Sequence, residues 1–100
     1  MSAQLLDSAT ISDRMLTLPN WTTDGKALYM TEKFSDFVEA IAFVNQLVSP
    51  AEALGHHPDI NISYNKVSIT MTTHDAGGLT DLDFQLAQTI SNLGRNDQRS

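Results

Sequence analysis

The chain has 100 residues, 41% of them hydrophobic, with no cysteine and a formal net charge of -6. This length and composition fit one domain with one hydrophobic core. The acidic balance opposes binding to DNA or RNA, which rewards clustered Lys and Arg. The absence of cysteine excludes disulfides, thiolate nucleophiles and Cys-rich zinc sites, so polar chemistry must use His, carboxylates, hydroxyls or backbone groups.

No apolar run approaches the roughly 18 residues of a membrane helix, and MSAQLLDSAT lacks the basic and apolar segments of a signal peptide. We therefore expect a cytoplasmic protein with no membrane partner. We expect a single domain over residues 1–100, with a core at about 10–94 and frayed tails at 1–8 and 95–100.

The first predicted element is a short helix capped by Thr10 and closed by Pro19. The turn signal TTDGK follows at residues 22–26. Residues 28–34 then alternate between apolar and polar side chains, which predicts a strand or strand pair.

The segment from Asp36 to Val48 predicts the main helix. Its expected buried face consists of Phe37, Ala40, Ile41, Val44, Leu47 and Val48. Val38 and Phe43 lie outside this stripe, so we expect the helix to pack on a sheet and also to meet a second surface, such as another subunit. Ser49-Pro50-Ala51-Glu52 resembles a capping box and predicts a kink or restart before Gly55 ends the helix.

The stretch GHHPDINISYNKVSITMTTH, residues 55–74, predicts a β-hairpin because apolar residues alternate on both sides of Asn65-Lys66. A two-residue turn at Asn65-Lys66 is expected, and a longer loop with a shifted register is the alternative. With the two-residue turn, Ile62 faces Ile69 and His57 faces His74.

The stretch GGLTDLD begins the last predicted helix, with Thr80 as N-cap, Asp83 at the third helical position and Gly94 as the stop. The whole order is helix, strands, helix, hairpin, helix. It predicts an α+β fold in which three helices pack on one face of a four-stranded antiparallel sheet.

His57 and His74, which this register places opposite each other, suit general acid-base catalysis. An imidazole with its ordinary pKa of roughly 6.5 exchanges protons at neutral pH. The alternative is that His56 and His57 are surface residues favoured by a helix dipole and that His74 is an ordinary strand end. A three-histidine metal site is disfavoured because adjacent strand residues point to opposite faces.

Two carboxylates could orient an imidazole, and each has a structural alternative: loop solvation for Asp75 and helix capping for Asp83. Trp21 fits the core or its rim better than a substrate platform. The chain contains no nucleophile-elbow pattern to support a Ser-His-Asp triad.

The motifs taken together resemble the pterin-4a-carbinolamine dehydratases. They are Glu52-x-x-x-His56-His57-Pro58, Tyr64-Asn65-Lys66-Val67, Thr73-His74-Asp75 and Gly78-Leu79-Thr80-x-x-Asp83, with a looser match upstream at Trp21 and Phe34-Ser35-Asp36-Phe37. The resemblance implies a homo-oligomer, either a dimer or a dimer of dimers. It implies dehydration of 4a-hydroxytetrahydropterin, such as 4a-hydroxytetrahydrobiopterin, to quinonoid dihydropterin, in cofactor recycling for an aromatic amino-acid hydroxylase. The pterin is the substrate, and neither a metal nor a redox cofactor is implied.

The resemblance also implies roles for individual residues. His56, His57 and His74 would be catalytic, with His56 and His74 as proton-transfer candidates and His57 binding or assisting. The implied substrate pocket consists of Gly55, His56, His57, Pro58, Thr72, Thr73, His74, Asp75, Asp83 and Trp21. The chain departs from the family pattern at Ala53, where Lys is frequent, and at Ser49-Pro50. Because some relatives act as dimerisation cofactors or assembly factors, a non-catalytic oligomeric adaptor is the second hypothesis.

Overall fold

The computed structural model describes the backbone of residues 4–99 and the side chains of residues 4–93. Its elements are α1 (Ser8–Met15), β1 (Thr22–Thr23), β2 (Leu28–Lys33), α2 (Phe37–Leu54), β3 (Asp59–Ser63), β4 (Lys66–Met71), a 3-10 helix (His74–Ala76) and α3 (Asp81–Arg99). The strands form one antiparallel sheet in the order β1-β2-β4-β3. The predicted α+β fold is confirmed. The expectation of frayed ends at residues 1–3 and 100 lies outside the described residues.

One face of the sheet is apolar and supplies five side chains to the core. The buried side chains of its two central strands are Leu28, Met30, Val67, Ile69 and Met71. Alternate residues such as Tyr29 and Thr31 are exposed on the other face, as the period of two predicts. Burying a side chain of this size contributes roughly 1.5–3 kcal/mol, so this face holds the helices to the sheet.

The first helix begins earlier than the sequence predicts. Asp7 is the N-cap, and its carboxylate accepts the backbone N–H of Thr10 at 2.8 Å. The prediction of Thr10 as the cap was therefore wrong, because Asp7 stands three residues upstream and satisfies a free N–H of the first turn. The helix ends at Met15, and Leu18 is buried beyond it.

The long helix α2 buries a different stripe from the predicted one. Its buried residues are Ala40, Phe43, Leu47 and Ala51, whereas Phe37, Val38 and Val48 are exposed. The placement of Phe43 outside the buried face was wrong, because this helix is apolar on more than one side and the pattern could not tell which side faces the sheet. The predicted restart at Pro50 was also wrong: the helix is continuous to Leu54. Gly55 ends it with φ 61°, as predicted.

The hairpin turns one residue earlier than predicted, which shifts the pairing of its strands by two residues. Ser63 pairs with Lys66 and Ile62 with Val67, so Tyr64 and Asn65 form the loop. The backbone carbonyl of Asn65 accepts the N–H of Phe34 at 2.8 Å, and its Nδ2 donates to the carbonyl of Phe34 at 2.8 Å. These contacts with the end of β2 account for the position of the turn. A register shift of two residues keeps the apolar side chains of both strands on the predicted face.

The last helix begins as predicted and ends later. The hydroxyl of Thr80 accepts the N–H of Leu82, and the N–H of Thr80 donates to the carboxylate of Asp83, which satisfies the start of α3. The predicted stop at Gly94 was wrong, since α3 continues to Arg99. A helix interior tolerates glycine at a cost of about 1 kcal/mol. None of the helices in the described part of the chain is long and apolar enough to cross a membrane.

Candidate active site

The first histidine of the pair is buried where α2 ends. Gly55 reverses the chain with a left-handed backbone, and the N–H of His56 then donates to the carbonyl of Ala51 at 3.0 Å. The imidazole of His56 has 10% of its side-chain surface exposed, and its Nε2 lies 2.6 Å from Oδ1 of Asp83. The end of α2 therefore places an imidazole against a carboxylate on the first turn of α3.

Asp83 is fully buried, and its second oxygen has two more hydrogen-bond donors. Oδ2 accepts the hydroxyl of Thr73 at 2.8 Å and the backbone N–H of Thr80 at 2.9 Å. The hydroxyls of Thr73 and Thr80 are themselves 2.7 Å apart. Asp83 thus caps its own helix and also holds His56, so the two alternatives considered for this residue are both true.

The loop after β4 carries the third histidine. The N–H of Thr73 donates to the carbonyl of Gly78 at 2.9 Å, and the N–H of Gly78 donates back at 3.3 Å, which closes the loop. His74 and Asp75 lie inside this loop, at the start of the 3-10 helix, and both are exposed. Because Thr73 bonds to Asp83, the closed loop is tied to the same cluster as His56.

The second histidine of the pair faces a different environment. Nε2 of His57 lies 2.6 Å from Oε2 of Glu52, and these side chains are 62% and 68% exposed. Both residues line a cavity of about 240 Å³ between α2 and β3, where Pro58 and Ile60 also contribute. The remaining lining residues are apolar: Val44, Leu47, Val48 and Ala51.

Register counting does not bring His57 opposite His74. The β3–β4 ladder stops at Asp59 with Thr70, and extending the observed register would place His57 opposite Thr72. The expectation that these histidines face each other across the hairpin was therefore wrong. The cause is the turn at Tyr64 and Asn65, and His74 has in addition left the strand for the 3-10 helix.

Two other predicted pocket residues have partners elsewhere. The indole N–H of Trp21 donates to the hydroxyl of Ser91 at 2.8 Å, and the ring is buried in the core. Ser91 lies eight residues beyond Asp83, about 12 Å along the axis of α3. The hydroxyl of Thr72 donates to the carbonyl of Lys26 at 2.8 Å. Neither side chain joins the His56 cluster through these bonds.

The local pattern predicts only structural roles for two residues of the site. It predicts Thr80 as a helix cap and Glu52 as part of a capping box, yet they contact Asp83 and His57 respectively. The capping-box spacing Thr80-x-x-Asp83 predicts the contact of Thr80 with Asp83, because a cap and the third residue of its helix always lie close together.

The arrangement favours proton transfer over metal binding. Among residues 4–93, no group of three or more His, Asp or Glu side chains is placed to hold a metal ion. Two imidazoles each lie against a carboxylate, which orients the ring. Histidine–carboxylate pairs of this kind are suited to general acid-base catalysis, which needs no nucleophile.

Comparison with known proteins identifies the family of this chain. The family model of pterin 4 alpha carbinolamine dehydratase matches residues 4–93. The chain belongs to this dehydratase family. A protein of Trichormus variabilis with the provisional name pterin-4-alpha-carbinolamine dehydratase is 62% identical over 91% of this chain and 98% of its own length. A Cyanothece protein with the same provisional name is 61% identical over 93% of this chain and 96% of its own length.

Solved structures of pterin dehydratases have the same fold. A crystal structure described as a transcriptional coactivator/pterin dehydratase from Brucella melitensis superposes with a TM-score of 0.83 at 33% identity, covering 88% of this chain and 96% of that one. A pterin dehydratase-like protein described as a RuBisCO assembly factor in the alpha-carboxysome shares the fold alone, with a TM-score of 0.59 at 23% identity over 73% of this chain and 84% of that one. The pterin dehydratase fold is thus found in proteins described in different functional terms.

Proposed function

We propose that the protein dehydrates 4a-hydroxytetrahydropterin to quinonoid dihydropterin by histidine acid-base catalysis. The observation that carries the proposal is the buried His56–Asp83 pair, with His74 exposed on the loop that Thr73 ties to it. The reaction breaks the bond between C4a and its hydroxyl, which leaves as water after gaining a proton, while a ring nitrogen loses a proton. One acid and one base are therefore sufficient.

The proposal assigns the pterin to the surface around His56, His74 and the neighbouring Asp75. His57 has a binding or assisting role, together with its partner Glu52, and both residues line the apolar cavity. The pterin is the substrate, so the proposed reaction needs no separate cofactor. We also propose a cytoplasmic setting in which an aromatic amino-acid hydroxylase produces the carbinolamine, 4a-hydroxytetrahydrobiopterin being the expected form.

The test is a coupled assay. A hydroxylase generates the 4a-carbinolamine, and the ultraviolet decay of this compound is followed with and without the purified protein. We expect faster decay in proportion to the protein added. Decay at the spontaneous rate, at all protein concentrations, would contradict the dehydratase proposal.

A homo-oligomeric adaptor is the second candidate function. It is favoured by the exposed apolar side chains on α2, where Phe37, Val38 and Val48 are 49%, 73% and 58% exposed. Apolar residues on one helix face are covered in many proteins by a second subunit, and we propose a dimer or dimer of dimers. Sedimentation velocity on wild type and on Val38→Glu tests this: we expect a smaller species in the variant. An adaptor without catalysis would show the oligomer and no acceleration in the pterin assay.

A further inference from the structure

The donor and the acceptor of each hydrogen bond around Asp83 can be assigned. A carboxylate accepts hydrogen bonds and donates none, so the hydroxyl of Thr73 must donate to Oδ2 and His56 must donate from Nε2 to Oδ1. The hydroxyl proton of Thr73 is then engaged in its hydrogen bond to Asp83. The 2.7 Å contact between the two threonine hydroxyls therefore takes its proton from Thr80. The N–H of Leu82 donates to the hydroxyl oxygen of Thr80 at 3.3 Å and completes the chain.

Two features favour the negatively charged carboxylate that this assignment requires. Oδ2 already accepts two hydrogen bonds, from the hydroxyl of Thr73 and the backbone N–H of Thr80, and donors aimed at a carboxylate stabilise its charged form. Asp83 also lies in the first turn of α3, where the helix dipole favours negative charge.

The remaining nitrogen of His56 is accessible. Among the described residues, every buried side-chain nitrogen or oxygen has a hydrogen-bond partner, and the one hydrogen bond that the imidazole of His56 makes there is through Nε2. Nδ1 therefore belongs to the 10% of the His56 side-chain surface that is exposed. With a proton on Nε2, Nδ1 carries a free lone pair.

We propose that Thr73 and Thr80 are positioning residues which act through Asp83 to keep the proton of His56 on Nε2, so that Nδ1 is the base of the reaction. The inference rests on the proposed dehydratase function and deepens it. Nδ1 takes the proton of the pterin ring nitrogen, and the electrons of that N–H bond form the new carbon–nitrogen double bond. The C4a hydroxyl takes a proton from the acid, for which His74 is available, and leaves as water. Asp83 stabilises the imidazolium that His56 becomes.

This proposal changes the role of Thr73. The family resemblance implies that Thr73 lines the pterin pocket. Its hydroxyl, however, donates its hydrogen bond to Asp83, and its side chain is buried. Its backbone bridge to Gly78 is independent of the hydroxyl, so replacing the hydroxyl leaves the loop closed. Thr73→Val removes the hydrogen bond at nearly constant shape, and Thr73→Ser retains it.

The first measurement is the tautomer of His56. Protein with ¹⁵N-labelled histidine is studied by long-range ¹H–¹⁵N correlation at about pH 8, where imidazoles are ordinarily neutral. His56→Gln identifies the signals by their loss. We expect the Nε2–H form in wild type and in Thr73→Ser, and an increased share of the Nδ1–H form in Thr73→Val and Thr80→Val. The Nδ1–H form in wild type would overturn the proposal, because Asp83 would then be the donor.

The second measurement is the rate of dehydration. We expect Thr73→Val to lower kcat by about 10-fold to 100-fold, the range typical of a displaced catalytic group, with KM within about twofold. Thr73→Ser should restore kcat to within about threefold of wild type. Thr31→Val is the matched control, since that hydroxyl contacts Ser68 on the polar face of the sheet and should change neither quantity. A higher KM at unchanged kcat in Thr73→Val would show a substrate contact and overturn the positioning role.

The two measurements separate the two proposals. If wild type fails to dehydrate the carbinolamine but its His56 tautomer responds to Thr73→Val as expected, the function is wrong and the positioning by Thr73 stands. If wild type is active but its tautomer is Nδ1–H, the function stands and the positioning is wrong. Thr80→Val provides a second variant should Thr73→Val fail to fold, because the backbone N–H of Thr80 remains on Asp83.

Discussion

His56 and His57 are neighbours in the chain, and each holds Nε2 at 2.6 Å from a carboxylate oxygen, yet their surroundings differ. His56 and Asp83 are 10% and 0% exposed, and Asp83 has further donors from Thr73 and Thr80. His57 and Glu52 are mostly exposed: Glu52 lies on the last turn of α2, and His57 lies just beyond the helix.

The N···O distance alone therefore does not show what a histidine–carboxylate pair contributes. An exposed pair is screened by water and salt and is worth up to about 1 kcal/mol. A buried pair has no water to replace a lost partner, so each group holds the other in one orientation. We therefore assign orientation of the reacting imidazole to the buried pair and an assisting role to the exposed one.

The largest expected effect comes from exchanging each histidine for the same residue. His56→Gln should lower kcat/KM for the carbinolamine by about 10²-fold to 10⁴-fold, because it removes a general base. His57→Gln should lower it by about fivefold or less, the weight of an exposed ion pair. Steady-state rates from the coupled assay decide this. Equal losses in the two variants would break the distinction between the pairs.

The exposed His74 separates activity from stability. His74→Ala should lower the rate by about 10²-fold to 10⁴-fold, since it removes a proton-transfer group. Its thermal midpoint should stay within about 2 °C of wild type, because the side chain is exposed at the start of the 3-10 helix. Calorimetry and the assay on the same preparation provide both readouts. Wild-type activity in this variant would remove His74 from the mechanism.

Removing each carboxylate compares the pairs in stability. Asp83→Ala should lower the free energy of unfolding by about 3 kcal/mol, because it strands the donors of His56, Thr73 and Thr80 and removes a helix cap. Glu52→Ala should cost less than about 1 kcal/mol. Urea unfolding followed by circular dichroism gives both values. A cost at Glu52 comparable to that at Asp83 would mean that exposure does not decide the weight of the pair.

The smallest effect concerns a third carboxylate, Asp81, two residues before Asp83. The hydrogen bond from Gln85, and then that from Arg14, holds the pKa of Asp81 below its ordinary 3.8. A lowered pKa adds stability above pH 3.8, and this stability is lost as the pH falls through the lower folded-state value. Arg14→Met should therefore cost less than about 1 kcal/mol at neutral pH.

The acid side of the same experiment supplies its control. Once Asp81 is protonated in both proteins, the contribution of its pairing with Arg14 disappears, so the difference between Arg14→Met and wild type should narrow as the pH falls below about 3.8. Denaturant midpoints at neutral and acid pH measure this. A difference that does not depend on pH would assign the effect to the stacking of Arg14 over Phe84, at 5.0 Å, instead of the ion pair.

Local chemistry was enough to predict the elements and part of the site. Period-two alternation placed β2 and β4 with the correct residues facing the core, and Gly55, Thr80 and Asp83 were recognised because caps depend on residues within one turn. The resemblance to the dehydratase family rested on spacing of the same short range, and the match over residues 4–93 confirms the family.

The errors at the hairpin turn and at the buried face of α2 fell where a distant contact competes with a local pattern. The turn of the hairpin is set by two hydrogen bonds between Asn65 and Phe34, 31 residues apart, which no pattern inside the hairpin reports. The buried stripe of α2 passes through Phe43 because that face meets the sheet, although two faces of the helix are apolar enough to do so.

The class of fold, the caps at Gly55 and Thr80 and the set of residues capable of acid-base chemistry could be predicted from the sequence alone, because these follow from neighbours within a few positions. Which imidazole is buried and which carboxylate it contacts depend on the packing of the whole domain. His56 and Asp83 come from the end of one helix and the start of another, 27 residues apart. Their contact exists because both helices pack on the same sheet, and it is burial by that packing that distinguishes His56 from the histidine beside it.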